Sequence, residues 1–145
     1  MSYTINEIQE QIIEEFSFFD DWMDKYQQII EIATDLPIID EKFKSDDYII
    51  KGCQSKVWLN AELKDGIIYF SADSDAIITK GIVSLLIRVL TERTPQEIMD
   101  ADLYFIEKIG LKENLSPTRS NGLTSMLKQM KLYALAYNEK MKNEK

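Results

Sequence analysis

Histidine does not occur in this chain, and cysteine occurs once, as Cys53. Together these scarcities exclude a Ser-His-Asp or Cys-His catalytic pair, an internal disulfide, and a zinc or iron-sulfur site built from several Cys and His ligands. Also missing is any run of about 18 apolar residues, the length that would span a bilayer. Basic residues are the minority sign, 17 Lys+Arg against 25 Asp+Glu, for a net charge of -8. That balance works against phosphate attraction and against nucleic acid as a partner. The stretch from Met1 to Asp20 is acidic, unlike a secretory or organellar leader, so a cytoplasmic protein without a membrane partner is expected.

What remains is an ordinary globular composition, with 45% hydrophobic and 29% charged residues in 145 positions, enough for one domain with its own core. Thr4 and Glu7 stand at capping-box spacing ahead of Ile5, Ile8, Ile12, Phe16 and Phe19, which recur on one face of a helix. A second helical stripe, Trp22, Tyr26, Ile29, Ile30 and Ala33, ends at Leu36-Pro37. Residues 38–47 read as a connecting loop and Tyr48–Ile50 as a short β-rich run. Val57, Leu59, Ala61 and Leu63 alternate with polar residues and Trp58 as a half-buried strand, Asp65-Gly66 closes a hairpin, and Ile67–Ala72 returns.

Asp73, Ser74 and Asp75 offer cap oxygens to a helix over 76–90 whose apolar residues almost encircle it, the pattern of a central buried element. Thr94-Pro95-Gln96-Glu97 opens a short helix, Gly110 suits a stop, and Ser116-Pro117 opens a last helix striped by Leu123, Met126, Leu127, Met130, Ala134, Tyr137 and Met141. The polar tail, 139–145, is expected to fray. The sum is an α+β single domain over 1–145, with helices packed on one face of a small antiparallel sheet.

If covalent chemistry occurs, Cys53 is the first candidate. Gly52-Cys53-Gln54-Ser55 falls between two expected strands, where a glycine bend places the thiol at or near a loop tip, flanked by Lys51 and Lys56, whose charge favours thiolate. A free cysteine equally suits a small buried hydrophobe, the lysines equally suit solvated strand ends, and position and charge alone do not decide. Trp58, Phe70 and the methionines are assigned to packing.

Gly52-Cys53-Gln54-Ser55 followed by Val57-Trp58 resembles the cysteine loop of the SufE family. Leu36-Pro37, Asp73-Ser74-Asp75-Ala76, Lys80-Gly81, Thr94-Pro95, Leu115-Ser116-Pro117 and Arg119-Ser120-Asn121-Gly122-Leu123 follow the family's order, so the likeness runs from Trp22 to about Tyr137. Thr79 departs from it where an aliphatic residue is often found and Thr118 where serine is usual, and the segment 1–20 matches poorly.

The resemblance implies a fold like that of the SufE and IscU-like scaffold proteins, and a sulfur acceptor that takes persulfide sulfur onto Cys53 from a cysteine desulfurase of the SufS or CsdA type, which it stimulates. It further implies delivery to an iron-sulfur scaffold such as SufBCD, pyridoxal phosphate held by the desulfurase, and no cofactor or metal on this chain. Gly52, Gln54 and Ser55 form the loop. Arg119 is placed to contact that loop or an acidic patch on the partner, and Asp75 lies near the loop, although capping of the following helix is its simpler role. Two other readings stay open: an adaptor that docks on the desulfurase without chemistry, and a one-cysteine redox protein cycling through sulfenic acid.

Overall fold

A computed structural model of the chain describes residues 3–53 and 55–143. Helix α1 (Ile5–Ser17) begins where the capping box places it: Thr4 Oγ1 accepts from the Glu7 amide at 3.0 Å, and the Glu7 carboxylate accepts from the Thr4 amide at 2.9 Å. Its fully buried Ile12 and Phe16 join the main core. Gln9, also fully buried, has both ends satisfied: Nε2 donates to the Asp102 carbonyl at 3.0 Å and Oε1 accepts from the Phe105 amide at 3.1 Å. Helix α2 (Trp22–Ile32) is capped by Asp21 and runs into a 3-10 turn at Ala33–Asp35 before Pro37.

Strands β1 (Val57–Lys64) and β2 (Ile67–Ser74) pair antiparallel with Leu59 opposite Ala72 and Lys64 opposite Ile67. Asp65 and Gly66 take φ of 51° and 80°, the positive pair that a tight two-residue hairpin requires. Two strands alone are marginal in water, and this sheet is completed by hydrogen bonds along both outer edges. On β1 the Val57 carbonyl accepts from the Ile50 amide, and the Leu59 and Ala61 carbonyls accept from the Tyr133 and Tyr137 hydroxyls at 3.2 and 2.6 Å. On β2 the Ala72 backbone bonds Pro37 and Ile39, the Ile68 backbone bonds Glu92 and Arg93, and the Phe70 amide donates to Thr91 Oγ1. Neither edge is left as a template for another chain.

The short run expected at Tyr48–Ile50 is not a strand. Asp46–Tyr48 forms a 3-10 turn, with the Tyr48 amide donating to the Ser45 carbonyl, and only Ile49 bridges to Trp58. Ser and Asp favour turns through their own backbone hydrogen bonding, and that preference prevails here over the β propensity of the residues that follow.

Helix α3 (Ile77–Leu90) packs on β2 and is wrapped by α1, α2 and the last helix, which explains apolar residues on nearly every side. It meets α2 closely at Gly81, where a Cβ would fall inside contact distance of the Ile29 carbonyl. One turn on, Ser84 Oγ donates to the Ile32 carbonyl at 3.2 Å, so α2 and α3 run in step in the same direction. Arg88 ties α3 to α1 through a two-pronged pair with Glu15.

After α4 (Pro95–Asp100), α5 (Phe105–Lys108) and α6 (Leu111–Asn114), α7 runs from Pro117 to Asn143. The tail from residue 139 therefore does not fray within the described range. Glu139, Lys140, Met141 and Lys142 are good helix formers, Tyr137 is anchored to β1, and the Met141 methyl lies 3.7 Å from where a Cβ on Gly66 would stand, so propensity and tertiary contact together carry the helix on. The architecture is α+β, as expected, and among the described residues no helix is long and apolar enough to cross a membrane.

Candidate functional site

The chain between the last bond of Ile50 and the first of Lys56 carries Cys53, and both ends of that loop are pinned. At one end the Ile50 amide donates to the Val57 carbonyl at 2.8 Å. At the other, Lys56 is held three ways: its amide donates to Asp75 Oδ1 at 3.0 Å, and its carbonyl accepts from the Asp75 amide at 3.2 Å and from Ser74 Oγ at 2.8 Å. Gly52 turns the chain with φ of 93°, a conformation that calls for glycine, and a Cβ there would stand 2.6 Å from Ser125 Oγ on α7, so the serine hydroxyl would have to turn aside.

Asp75 is thus a loop anchor and not a helix cap. The residue at the start of α3, Ala76, has no side-chain cap; Ser74 Oγ accepts from its amide at 3.2 Å. Asp73 is drawn away by two cations, Lys44 at 2.7 Å and Lys80 at 3.3 Å. Burial pushes the Asp73 carboxyl up, but Lys44, the Ser74 amide and Lys80 together outweigh it and hold the group below the usual carboxylate range. Lys44 also lies 5.9 Å over the half-buried Trp58 ring, so Trp58 supports the loop's base from the side.

Cys53 itself is half-buried and faces inward, contrary to a thiol displayed at a loop tip. Its Sγ lies 3.7 Å from the Gly122 carbonyl, to which the thiol donates. The side chain opens on a cleft of ≈ 260 Å³ that Ser55 borders from the loop, Thr79 from α3, and Thr118, Arg119, Gly122 and Met126 from α7. The stripe 118, 122, 126 has i, i+4 spacing, which puts these residues on one helix face under the loop. Arg119 sits at the rim with Nη1 donating to the Tyr26 hydroxyl at 3.3 Å. Of the residues that the motif singles out, Cys53, Ser55 and Arg119 share this cleft; Gly52 and Asp75 shape the loop, and Gln54 lies outside the described residues.

Burial pushes the Cys53 thiol above its ordinary range. Lys51 and Lys56 do not counter it, so the thiolate stabilisation expected of them is not realised in this conformation: Lys51 is exposed, and Lys56 is tied through its backbone. A carbonyl acceptor on Sγ acts in the same direction as burial, because it favours the protonated form. Alkylation of Cys53 by a small neutral reagent is therefore expected to keep rising about tenfold per pH unit beyond the midpoint of a free cysteine, about 8.5. A rate against pH that levels off at or below the free-cysteine midpoint contradicts the burial argument.

A family profile described as SufE, Fe-S metabolism associated domain, matches residues 10–134, from α1 through the cleft-forming face of α7. The chain belongs to the SufE family. It is 39% identical over 127 residues to an uncharacterized SufE-like protein of Rhizobium etli, covering 84% of this chain and 86% of that protein. With an uncharacterized SufE-like protein of Synechocystis it shares 36% identity over 126 residues, 87% of this chain and 79% of the other. The fold matches the solution structure of a hypothetical protein from Thermus thermophilus with a TM-score of 0.73 at 20% identity, covering 89% of this chain and 94% of that one.

Within this SufE-family chain, Gly122 and Met126 were visible in sequence only as part of a motif string and a packing stripe. Thr79 and Thr118 line the same cleft although they are far apart in the chain. Tyr26 gave no signal beyond its place in the α2 stripe; its hydroxyl is what fixes Arg119.

Proposed function

We propose that this protein is a sulfur carrier that accepts persulfide sulfur at Cys53 from a pyridoxal-phosphate-dependent cysteine desulfurase of the SufS or CsdA type, stimulates that enzyme by relieving it of its product, and passes the sulfur on for iron-sulfur cluster assembly. The observation that carries the proposal is the placement of the only thiol: on a short loop pinned at both ends, over an open cleft, in a chain of this family.

The transfer needs no outside oxidant or reductant. The Cys53 thiolate attacks the terminal sulfur of the partner's cysteine persulfide; a new bond to Cys53 Sγ forms as the partner's S–S bond breaks. The electron pair leaves with the partner's cysteine sulfur, which takes up the proton that Cys53 gave up. In isolation Cys53 is turned inward and protonated, which suppresses oxidation and side reactions. Docking is expected to favour the outward loop conformation, by binding that conformation more tightly than the inward one. Arg119, exposed at the rim, is positioned to meet an acidic group of the partner.

Among the described residues no cluster of three or more Cys, Asp or Glu is arranged to hold a metal, which fits a carrier better than a scaffold on which a cluster is built. Intact mass spectrometry after incubation with free cysteine and a catalytic amount of desulfurase is expected to show one added sulfur on the wild-type chain. Mass unchanged under conditions where the desulfurase turns over would remove the proposal, and peroxide consumption by the chain alone would favour the redox reading.

A further inference from the structure

We infer that the solvent face of α7 is an interface with a second copy of this chain, the two helices lying antiparallel across a two-fold axis that passes between Tyr133 and Ala134. The inference concerns the chain by itself and stands or falls independently of the carrier reading.

Helix α7 buries Gly122, Leu123, Met126, Met130 and Ala134 against the body of the domain. Leu132 and Leu135 point the other way and are 45% and 46% exposed. The other large exposed hydrophobics among the described residues, Tyr3, Phe18, Met23, Ile38, Tyr69 and Ile77, each stand on a separate element or connection. Leu132 and Leu135 alone share one helix face, at i, i+3 spacing. Propensity does not explain them, because Lys, Glu, Gln or Arg would favour the helix about as well without leaving apolar surface in water.

The residues at either end of the pair identify what covers it. Lys128 lies four positions before Leu132 and Glu139 four positions after Leu135, both exposed and on the same face. The spacing four, three, four is the same read from either end, and the end residues carry opposite charge. Laid antiparallel on a second copy, Leu132 of each chain therefore meets Leu135 of the other, and Lys128 of each meets Glu139 of the other. This is the self-complementary pattern of a two-fold interface. A parallel arrangement would set Lys128 against Lys128 and Glu139 against Glu139, which like-charge repulsion opposes. Within the chain Lys128 makes no ion pair among the described residues, and Glu139 has only a loose contact with Lys142 at 3.8 Å.

Two leucine layers and two ion pairs make a contact well below standard interface size, and the net charge of -8 on each copy works against it. The dimer is accordingly weak, with a Kd of about 100 µM. Thr118, Gly122 and Met126, which border the Cys53 cleft, lie about 110° round α7 from this face at 3.6 residues per turn, so both clefts of the dimer stay open.

The test is sedimentation velocity of the full chain over about two decades of concentration around that Kd, with dithiothreitol present so that no Cys53 disulfide joins two copies. Leu135→Ala removes both leucine layers at once, by symmetry, and is expected to weaken the dimer about thirtyfold. Lys128→Glu and Glu139→Lys each place like charges together at both ends and are each expected to weaken it about tenfold. Mixed in equal amounts, those two variants set Glu against Lys at both ends, and the mixture is expected to return to about wild-type affinity. All three positions are exposed, so folding is not at stake, and circular dichroism checks that it is unchanged. A wild-type chain that stays monomeric throughout, or a dimer indifferent to Leu135→Ala, would overturn the inference. A mixture no tighter than its two components would overturn the antiparallel register. Since no desulfurase is present, none of these outcomes bears on sulfur acceptance at Cys53.

Discussion

With Cys53→Ser, desulfurase turnover in the presence of this protein is expected to fall to the enzyme's unaided rate, while docking persists. Serine has no sulfur to form the new bond, and its hydroxyl is far too weak an acid to supply a nucleophile without an adjacent base; the described residues that line its cleft include neither a carboxylate nor a histidine. The fold should be nearly indifferent. A hydroxyl can donate to the Gly122 carbonyl in place of the thiol, so the change in stability should stay within about 1 kcal/mol. The comparison needs two measurements, alanine release by the desulfurase and calorimetric binding of each variant to it. Loss of stimulation with unchanged affinity identifies covalent acceptance; full stimulation by the serine variant would mean that the protein acts by docking alone.

Gly81→Ala is expected to produce the largest loss of stability from a single methyl group. Alanine is the better helix former by about 1 kcal/mol, and on propensity alone the change would stabilise α3. The added Cβ, however, meets the Ile29 backbone, which cannot rotate away as a side chain would. Overpacking against backbone costs about 3 kcal/mol, so the clash wins and a net loss of about 2 kcal/mol, roughly 4–8 °C in Tm, is expected. Gly122→Ala is the control: its Cβ would make an ordinary contact 3.5 Å from Cys53 Sγ, so propensity should prevail and Tm should hold or rise. Equal Tm in the two variants would refute the close approach of α2 and α3.

Where the determinants are local, the sequence was sufficient. The boxes at Thr4/Glu7 and Thr94/Glu97, the Asp65-Gly66 hairpin and the turn at Gly110 need only neighbouring residues, and all are formed. Where a side chain has a choice of partners, it was not. Asp73 and Asp75 carry the composition of a helix start, but Lys44 and Lys80 claim the first and the Lys56 amide claims the second. The length of α7 depends in part on tyrosines that reach the edge of β1, which no local pattern encodes.

At the site, Cys53 stood out because it is the single cysteine, and the loop because of its motif. The inward orientation could not, since it is set by Gly122 and Ser125 far along the chain. The expectation that Lys51 and Lys56 stabilise a thiolate followed from their nearness in sequence; adjacency along a bent loop does not bring a cation to the sulfur.

The anchoring of Ile50 and Lys56 also limits distance. Cys53 is three residues from each, and a fully extended chain advances at most about 3.6 Å per residue, so while both anchors hold, the sulfur can travel no further than roughly 10 Å from the sheet's end, plus the length of its own side chain. If the chain carries sulfur as proposed, such a tether makes it a short-armed courier. On that reading the giver and the receiver of the sulfur must each bring their reacting atom almost to the body of this domain, and a donor sulfur sunk deeper than that in its own protein is out of range unless the Asp75 clasp first lets go.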